Sequence, residues 1–124
     1  MSLIREYETT FILRPDIQQA DKARITERVK SIIEEQFSGE VRRIEEWGKR
    51  QLAYLMQKQS FGIYVYVRYA ARPDAIAEIE RILRLNDHVL KFLTVVLEDG
   101  QDSGKRPDQS DVSYDDVDDM DEEE

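Results

Sequence analysis

Residues 60–69, which read SFGIYVYVRY, decide the fold of this chain. Side chains alternate between the two faces of a strand, so this stretch has two faces to compare. Both are rich in apolar or aromatic residues: Phe61, Ile63, Val65, Val67 and Tyr69 on one face, and Tyr64, Tyr66 and Arg68 on the other. A strand with both faces apolar is typical of the interior of a sheet. We therefore expect a central strand.

A second strand is expected just before it, over residues 41–54. Val41, Ile44 and Trp47 carry its apolar pattern, and Gly48 interrupts it. A glycine inside a strand pattern indicates a bulge or a close backbone approach, and a bulge would explain why the apolar phase slips there. The polar residues 57–60 separate this strand from the central one, as in a hairpin.

Two further strands lie at the ends of the patterned region. Residues 6–13 alternate and stop at Pro15, and residues 89–97 are again apolar at alternate positions. In the first of these strands Tyr7, Thr9, Phe11 and Leu13 share one face, whereas Glu8, Thr10 and Ile12 share the other.

Apolar residues at helical spacing lie between the first and second strands and again between the third and fourth. The first stripe is Ile25, Val29, Ile32, Ile33 and Phe37, and the second is Ile76, Ile79, Ile82, Leu83 and Asn86. For the first helix we expect Asp16 or Asp21 as N-cap and Gly39 as the left-handed residue past its end. For the second, Pro73 fits the first turn and Asn86-Asp87 ends the helix.

The resulting order is strand, helix, strand, strand, helix, strand. Its simplest packing is an α+β fold of the ferredoxin-like split βαβ type, a four-stranded antiparallel sheet with two helices on one face. The helix-free face then carries a combination of Glu8, Thr10, Tyr64, Tyr66, Arg68 and either Lys91 or Phe92, which makes it a candidate binding surface.

The apolar pattern ends at Leu97, which predicts a domain over residues 1–98 and a disordered acidic tail over residues 99–124. The tail holds 12 of the 27 acidic residues and two of the 18 basic ones, so its charge is -10. The remaining 15 acidic and 16 basic residues give residues 1–98 a charge of +1. The overall charge of -9 therefore says nothing against nucleic-acid binding by the domain. Within the tail, Tyr114, Val117 and Met120 are spaced three apart among acids, as in a short docking motif, although a solvating tail is the commoner role.

Little in the sequence points to catalysis. There is no cysteine, the five glycines form no phosphate-binding loop, and the single histidine, His88, falls at a turn between helix and strand. We expect no enzyme, no metal and no cofactor. No apolar run approaches the roughly 18 residues of a membrane span, and the charged N-terminus does not resemble a signal peptide, so we also expect a soluble cytoplasmic protein.

RNA binding is better supported. The RNA-recognition motif has the same fold and stacks bases on aromatic side chains of its central strands. Its octapeptide, aligned with residues 59–66, matches only at Phe61, Gly62 and Tyr66, so packing is the preferred role for the tyrosines. The second strand and its hairpin also carry a run of cations: Arg42, Arg43, Lys49, Arg50 and Lys58. Contact with phosphates and protection of a sheet edge both explain this run.

Four segments carry a resemblance to a known family. They are residues 7–15 (YETTFILRP), 47–54 (WGKRQLAY), 61–64 (FGIY) and 83–87 (LRLND). In this order and spacing they resemble bacterial small-subunit ribosomal protein six, over residues 4–98. The segment GKRQLAY is the most specific of them.

The resemblance implies a ferredoxin-like, non-catalytic protein of the ribosome. It further implies binding to the central domain of small-subunit rRNA, together with small-subunit ribosomal protein eighteen. By position, the RNA- or partner-contacting residues would be Arg5, Lys49, Arg50 and Lys91, followed by Lys58 and Arg68. Two residues depart from the family pattern: Leu55 replaces a common proline and Lys91 a common arginine, whose fork geometry lysine lacks. A free regulator of single-stranded RNA, similar to the RNA-recognition motif, is the alternative.

Overall fold

The computed structural model describes residues 4–97. Its elements follow the chain in this order: β1 (Arg5–Leu13), α1 (Gln19–Ser31) with an added π-helical turn (Ile32–Gln36), β2 (Glu40–Met56), β3 (Gln59–Ala71), α2 (Pro73–Leu85) and β4 (Val89–Leu97). The predicted acidic tail, residues 99–124, lies outside the described residues, and the predicted domain boundary at residue 98 stays a prediction.

The four strands form one antiparallel sheet in the order β2-β3-β1-β4. This confirms the α+β, ferredoxin-like split βαβ fold, and it confirms that β3 is a central strand. β2 and β4 are the two edges of the sheet, so no backbone pairing joins them.

The main core lies between the sheet and the two helices. It includes the predicted face of β1, namely Tyr7, Phe11 and Leu13, with Thr9 buried among them. Helix residues complete it: Ile25 and Val29 from α1, Ile32 and Ile33 from the π-helical turn, and Ala75, Ile79 and Leu83 from α2. Each large aliphatic side chain contributes about 1.5–3 kcal/mol by leaving water. This core makes the sheet a stiff base for whatever its other face and its ends present.

The ends of α1 differ from the prediction. Its N-cap is Gln18, without a side-chain cap bond, so Asp16 and Asp21 are not caps. Asp21 lies inside the first turn and accepts instead from Arg24 Nη1, at 2.7 Å. Pro73, by contrast, begins α2 as predicted, and this helix ends at Leu85 with Asn86 as C-cap.

The left-handed residue after the first helix is Ser38, with φ +57°, and not Gly39. The π-helical turn has Phe37 as its C-cap, and the left-handed residue follows directly at Ser38. Gly39 is needed for a different reason, because a Cβ there would lie 2.5 Å from the carbonyl oxygen of Ala70 on β3. The glycine therefore permits a close backbone approach.

The predicted bulge in β2 is confirmed. The β2–β3 register shifts between Glu46 and Gly48, and Gly48 has a φ of +83° with no atom near the position of a Cβ. A bulge bends and twists its strand. A second irregularity follows between Gln51 and Met56, so the far half of β2 departs from regular pairing with β3.

Candidate nucleic-acid interface

The helix-free face of the sheet is covered rather than open. Its two tyrosines, Tyr64 and Tyr66, are only 6% and 3% exposed. The indole of Trp47 stacks on the Tyr66 ring, with centroids 5.3 Å apart and planes at 15°. The Tyr66 hydroxyl donates to a Glu8 carboxylate oxygen at 2.7 Å. Burial, supported by this hydrogen bond, raises the pKa of Tyr66 well above its ordinary value. Neither ring offers a face on which a base could stack, so the tyrosines act in packing.

The cover comes from β2, whose far half crosses the face. Leu52 packs with Ile12 and Tyr64 in a second, smaller apolar cluster on this side. Beyond it, the hydroxyl of Tyr54 accepts a hydrogen bond from Lys91 Nζ at 3.0 Å, with the ammonium 5.7 Å from the ring centroid. Because β2 and β4 are opposite edges, this contact spans the width of the sheet. We call residues 47–63, the far half of β2 and the start of β3, the hairpin arm.

Phe92 is not part of this face. It pairs with Phe11 of the main core, and the guanidinium of Arg84 on α2 lies 5.5 Å from its ring centroid. Lys91 pairs with Ile12, which pairs in turn with Tyr64, so the helix-free face carries the lysine. This settles the choice between Lys91 and Phe92 that the sequence left open.

Ion pairs cluster at the end of the sheet away from the arm. Arg42 binds Glu6 at 2.7 Å and Glu40 at 3.0 Å, and the Nε of Arg68 lies 3.5 Å from Glu6. Closer to the middle, Arg43 Nε lies 3.0 Å from a Glu45 oxygen. In this region the cations of the edge strand form ion pairs within the chain, and edge protection stays a prediction.

The hairpin arm has a different charge pattern. It contains Lys49, Arg50 and Lys58 and not one acidic residue. Lys49 is exposed, with its Nζ 5.5 Å from the centroid of the Phe61 ring, and Arg50 Nε donates to the carbonyl oxygen of Trp47 at 3.3 Å. The arm therefore carries three positive charges and no negative one of its own.

Lys58 occupies an unusual backbone position at the tip of the arm. It and Gln57 form the turn between β2 and β3, and both have positive φ, +67° and +50°. Such two-residue turns favour Asn and Gly, because other side chains are strained there. Lys58 is exposed in this conformation, so the turn presents its charge to solvent at the tip.

Two residues from elsewhere in the chain join the arm at this end of the sheet. Lys91 does so through Tyr54, and Arg14 does so through Gln57, whose side-chain oxygen accepts from Arg14 Nη1 at 3.2 Å. Arg14 was not predicted. Its place directly after β1 and within the segment YETTFILRP are the sequence signals for it. Only the fold brings that end of the strand to the arm. We call this set, Arg14, Lys49, Arg50, Lys58 and Lys91, the basic end.

The six predicted contact residues thus divide between two places. Four belong to the basic end, while Arg5 and Arg68 lie toward the opposite end. Arg5 opens β1 and pairs with Ala71, and Arg68 is half-buried beside Glu6. A single interface that included all six residues would therefore have to extend along the length of the sheet.

Within residues 4–97 no group of three or more His, Asp or Glu side chains is arranged to hold a metal ion. His88 lies at the turn before β4 as predicted, with its Nε2 3.8 Å from Asp21. No helix among these residues is long and apolar enough to cross a membrane.

The sequence and the fold both have relatives among known proteins. The sequence model of the family described as Ribosomal protein S6 matches residues 6–96. Small ribosomal subunit protein bS6 of Caldanaerobacter subterraneus subsp. tengcongensis is 41% identical over 96 residues, which are 77% of this chain and 100% of the relative. The bS6 protein of Syntrophobacter fumaroxidans is 42% identical over 102 residues, or 82% of this chain and 69% of the relative.

A solved structure shows the same architecture. The crystal structure of 30S ribosomal protein S6 from Thermotoga maritima superposes with a TM-score of 0.70 at 29% sequence identity. The match covers 76% of this chain and 88% of the Thermotoga chain.

Proposed function

Because the chain belongs to the Ribosomal protein S6 family, and is therefore a structural, non-enzymatic constituent of the small ribosomal subunit in the cytoplasm, we propose that its basic end binds small-subunit rRNA. The contacts are made to phosphates rather than to base edges. The observation that carries the proposal is the charge of the hairpin arm, three cations without one acid in residues 47–63.

The side-chain chemistry of the basic end suits a phosphate backbone. Lys49 and Lys58 are exposed point charges that follow phosphates without demanding one geometry, whereas the guanidinium of Arg50 can form two parallel hydrogen bonds to one phosphate. Contacts of this kind position a protein on RNA and give affinity, but they read no sequence. Specificity for one rRNA site then has to come from the shape of the RNA and from a second protein.

Rigid presentation of these cations favours binding. Long side chains lose rotamer freedom on binding, at a cost of about 0.5–1.5 kcal/mol each. Leu52 and Tyr54 anchor the arm to the sheet on either side of residue 53, and the hydrogen bond to Tyr54 directs Lys91 along the face. The arm therefore loses less conformational entropy on binding than a free loop of the same charge.

We propose small-subunit ribosomal protein eighteen as the partner and the central domain of the rRNA as the site, as the family resemblance implies. The near-neutral domain supports this, because residues 1–98 carry a charge of only +1. A protein with so little net charge gains modest affinity from phosphates alone, and a basic partner bound beside it supplies the rest. Arg5 and Arg68, remote from the basic end, are then contacts to the partner or to a second RNA segment.

The test is a charge reversal in the arm. Lys49→Glu with Arg50→Glu should lower affinity for a central-domain rRNA fragment, measured with protein eighteen present, by about tenfold or more. The slope of log affinity against log salt should become shallower by about 1–2, because two phosphate contacts are lost. Circular dichroism should show an unchanged fold, since both positions face solvent at least in part.

A matched control carries the same change of charge away from the arm. Arg24→Glu with Arg72→Glu alters two exposed cations of the helix layer. It should shift affinity far less and leave the salt slope nearly unchanged. Equal losses of RNA affinity in both double variants would mean that only the net charge of the protein matters. Unchanged RNA affinity of the arm variant would remove Lys49 and Arg50 from the interface.

A further inference from the structure

We propose that the acidic segment of residues 115–124 binds the basic end of the same molecule when no RNA is present. It would then compete with RNA phosphates for these cations. The binding of the segment is argued from charge, reach and apolar contacts, whereas the competition rests on the function proposed above.

Charge complementarity is the first argument. Residues 115–124 read DDVDDMDEEE, which is eight acidic residues in ten and no basic one. The hairpin arm has three basic residues in 17 and no acidic one. Lys91 and Arg14 adjoin it, although the Nε of Arg14 also lies 3.9 Å from an Asp16 oxygen. Carboxylates and phosphates share the same chemistry toward lysine and arginine, since both are oxygen anions that accept N–H bonds. A surface that fits one of them also fits the other.

Several basic side chains outside the basic end are poorer targets, because acids already lie beside them. On the helices, Arg24 is 2.7 Å from Asp21 and Arg81 is 2.8 Å from Glu78. The Glu78 carboxylate holds the pKa of Arg81 above its ordinary value, while the pKa of Glu78 falls. An incoming carboxylate would have to displace these internal partners. Lys49 and Lys58, in contrast, form no ion pair within residues 4–97.

The chain is long enough to make the contact. Leu97 pairs with Glu6, whereas Lys91 pairs with Ile12, six residues away along β4. At a rise of about 3.3 Å per residue, the basic end lies about 20 Å from Leu97. The roughly 18 steps from Leu97 to Asp115 span up to about 60 Å. The segment can therefore reach its own basic end with length to spare.

Apolar contacts favour the same site. Leu55 and Phe61 of the arm are 58% and 42% exposed, although they are large hydrophobic residues. Tyr114, Val117 and Met120 alternate with the acids of the tail at a spacing of three. An acidic segment with periodic apolar residues matches a basic arm with exposed apolar ones, which gives the contact a component that salt does not screen.

A spin label tests the binding directly. The chain has no cysteine, so Ser113→Cys provides a single site for a nitroxide in the full-length protein. At about 25 mM salt, the label should broaden amide signals of residues 49–61 several times more than those of residues 24–28 in α1. At about 0.5 M salt most of the broadening should vanish, because the Debye length falls to a few ångströms. Broadening that is absent, or is strongest on the helices, would overturn the proposal.

Two controls make the label result specific. In the first, the eight acids of residues 115–124 are replaced by Asn and Gln, and the broadening of the arm should fall to the level of α1. In the second, labelled and isotope-enriched molecules are mixed as separate populations. Broadening should then be lost, and its persistence would show contact between molecules and contradict binding within one chain.

RNA binding tests the competition. The full-length chain with the neutralised segment should bind the rRNA fragment about three- to tenfold tighter at low salt, and equally at high salt, because the binding-competent fraction rises. Removal of eight negative charges also strengthens long-range attraction to RNA, so the label experiment decides whether the segment binds.

Two outcomes separate this inference from the proposed function. If the segment binds the arm but Lys49→Glu with Arg50→Glu leaves RNA affinity unchanged, the proposed function fails and the segment contact stands. If the segment binds and neutralisation leaves RNA affinity unchanged, the competition is refuted.

Discussion

Ser38 and Gly39 lie side by side between the π-helical turn and β2, and each meets a different backbone constraint. From sequence, Gly39 is the natural left-handed residue after a helix. In the structure Ser38 holds the positive φ, and Gly39 lies against the carbonyl oxygen of Ala70. Local pattern indicates that the chain turns here, but the residue at which it turns depends on the π-helical turn and on the position of β3.

This difference predicts opposite effects of two substitutions. Ser38→Gly should raise the free energy of unfolding by about 0.5–1 kcal/mol, because glycine tolerates the left-handed conformation without strain. Gly39→Ala should lower it by about 1–3 kcal/mol, because a Cβ forces backbone apart. Urea unfolding of both variants and the native chain measures the difference. If Gly39→Ala leaves the free energy of unfolding unchanged, the backbone at residue 39 can move away from β3 at no cost.

The buried hydroxyl of Tyr69 should make the free energy of unfolding fall at high pH. Its hydroxyl is buried in the main core, within hydrogen-bonding distance (2.8 Å) of Thr9 Oγ1, and burial raises its pKa from 10.0 to about 12. The folded state thus holds this proton more tightly than the unfolded state. The stabilising contribution is complete below about pH 10 and is lost as pH rises through about 12, at up to about 1.4 kcal/mol per pH unit.

Comparison with Tyr69→Phe isolates this contribution from that of all other ionisable groups. The free energy of unfolding of each protein is measured from about pH 9 to about pH 11.5. The decline should be steeper for the native chain than for the variant, which lacks the ionisable group. Parallel curves would mean that the Tyr69 proton is held no more tightly in the folded protein.

At the scale of elements, α2 follows its sequence closely. Ala75, Ile79 and Leu83 are buried against the sheet, whereas Asp74, Arg81 and Arg84 are exposed. Leu83 is fully buried, whereas Leu85, two residues on and therefore on another side of the helix, is 67% exposed. Periodicity thus predicts Ile79 and Leu83 as buried, and Ile76 and Ile82 as partly buried. It misses the buried Ala75 and includes Asn86, which lies past the end of the helix.

The two leucines allow a matched test of the predicted face. Leu83→Ala should cost about 2–5 kcal/mol, through lost burial and the cavity left behind. Leu85→Ala makes the same chemical change in the same helix and should alter stability by no more than about 0.5 kcal/mol. Chemical denaturation measures both. Similar losses would mean that the exposed leucine is covered in solution.

β2 is the element that sequence describes least well. Its bulge at Gly48 was predictable, because a glycine inside an apolar pattern signals one. The course of the strand after the bulge was not, since nothing local shows that Leu52 packs on Ile12 and that Tyr54 meets Lys91. The edge strand thereby becomes the cover of the helix-free face, and its cations become the charged end of the sheet.

At the scale of the whole molecule, charge is segregated along the chain and in space. The tail is strongly acidic, the domain is nearly neutral, and within the domain the hairpin arm is basic while the opposite end is internally paired. Averages such as net charge hide this arrangement. Both the proposed RNA contact and the proposed contact of the tail depend on it.

The sequence by itself determined the order and type of all six main elements, the central position of β3 and the family. These follow from periodicity, glycine and proline positions and short motifs, which act through the backbone over a few residues. Only the tertiary structure decided which cations share one end of the sheet. It also decided that Tyr64 and Tyr66, on the helix-free face, are buried. The contacts responsible, Lys91 with Tyr54 and Arg14 with Gln57, join residues 37 and 43 positions apart. Such pairs are set by strand order and by the bend at Gly48, so no local pattern encodes them.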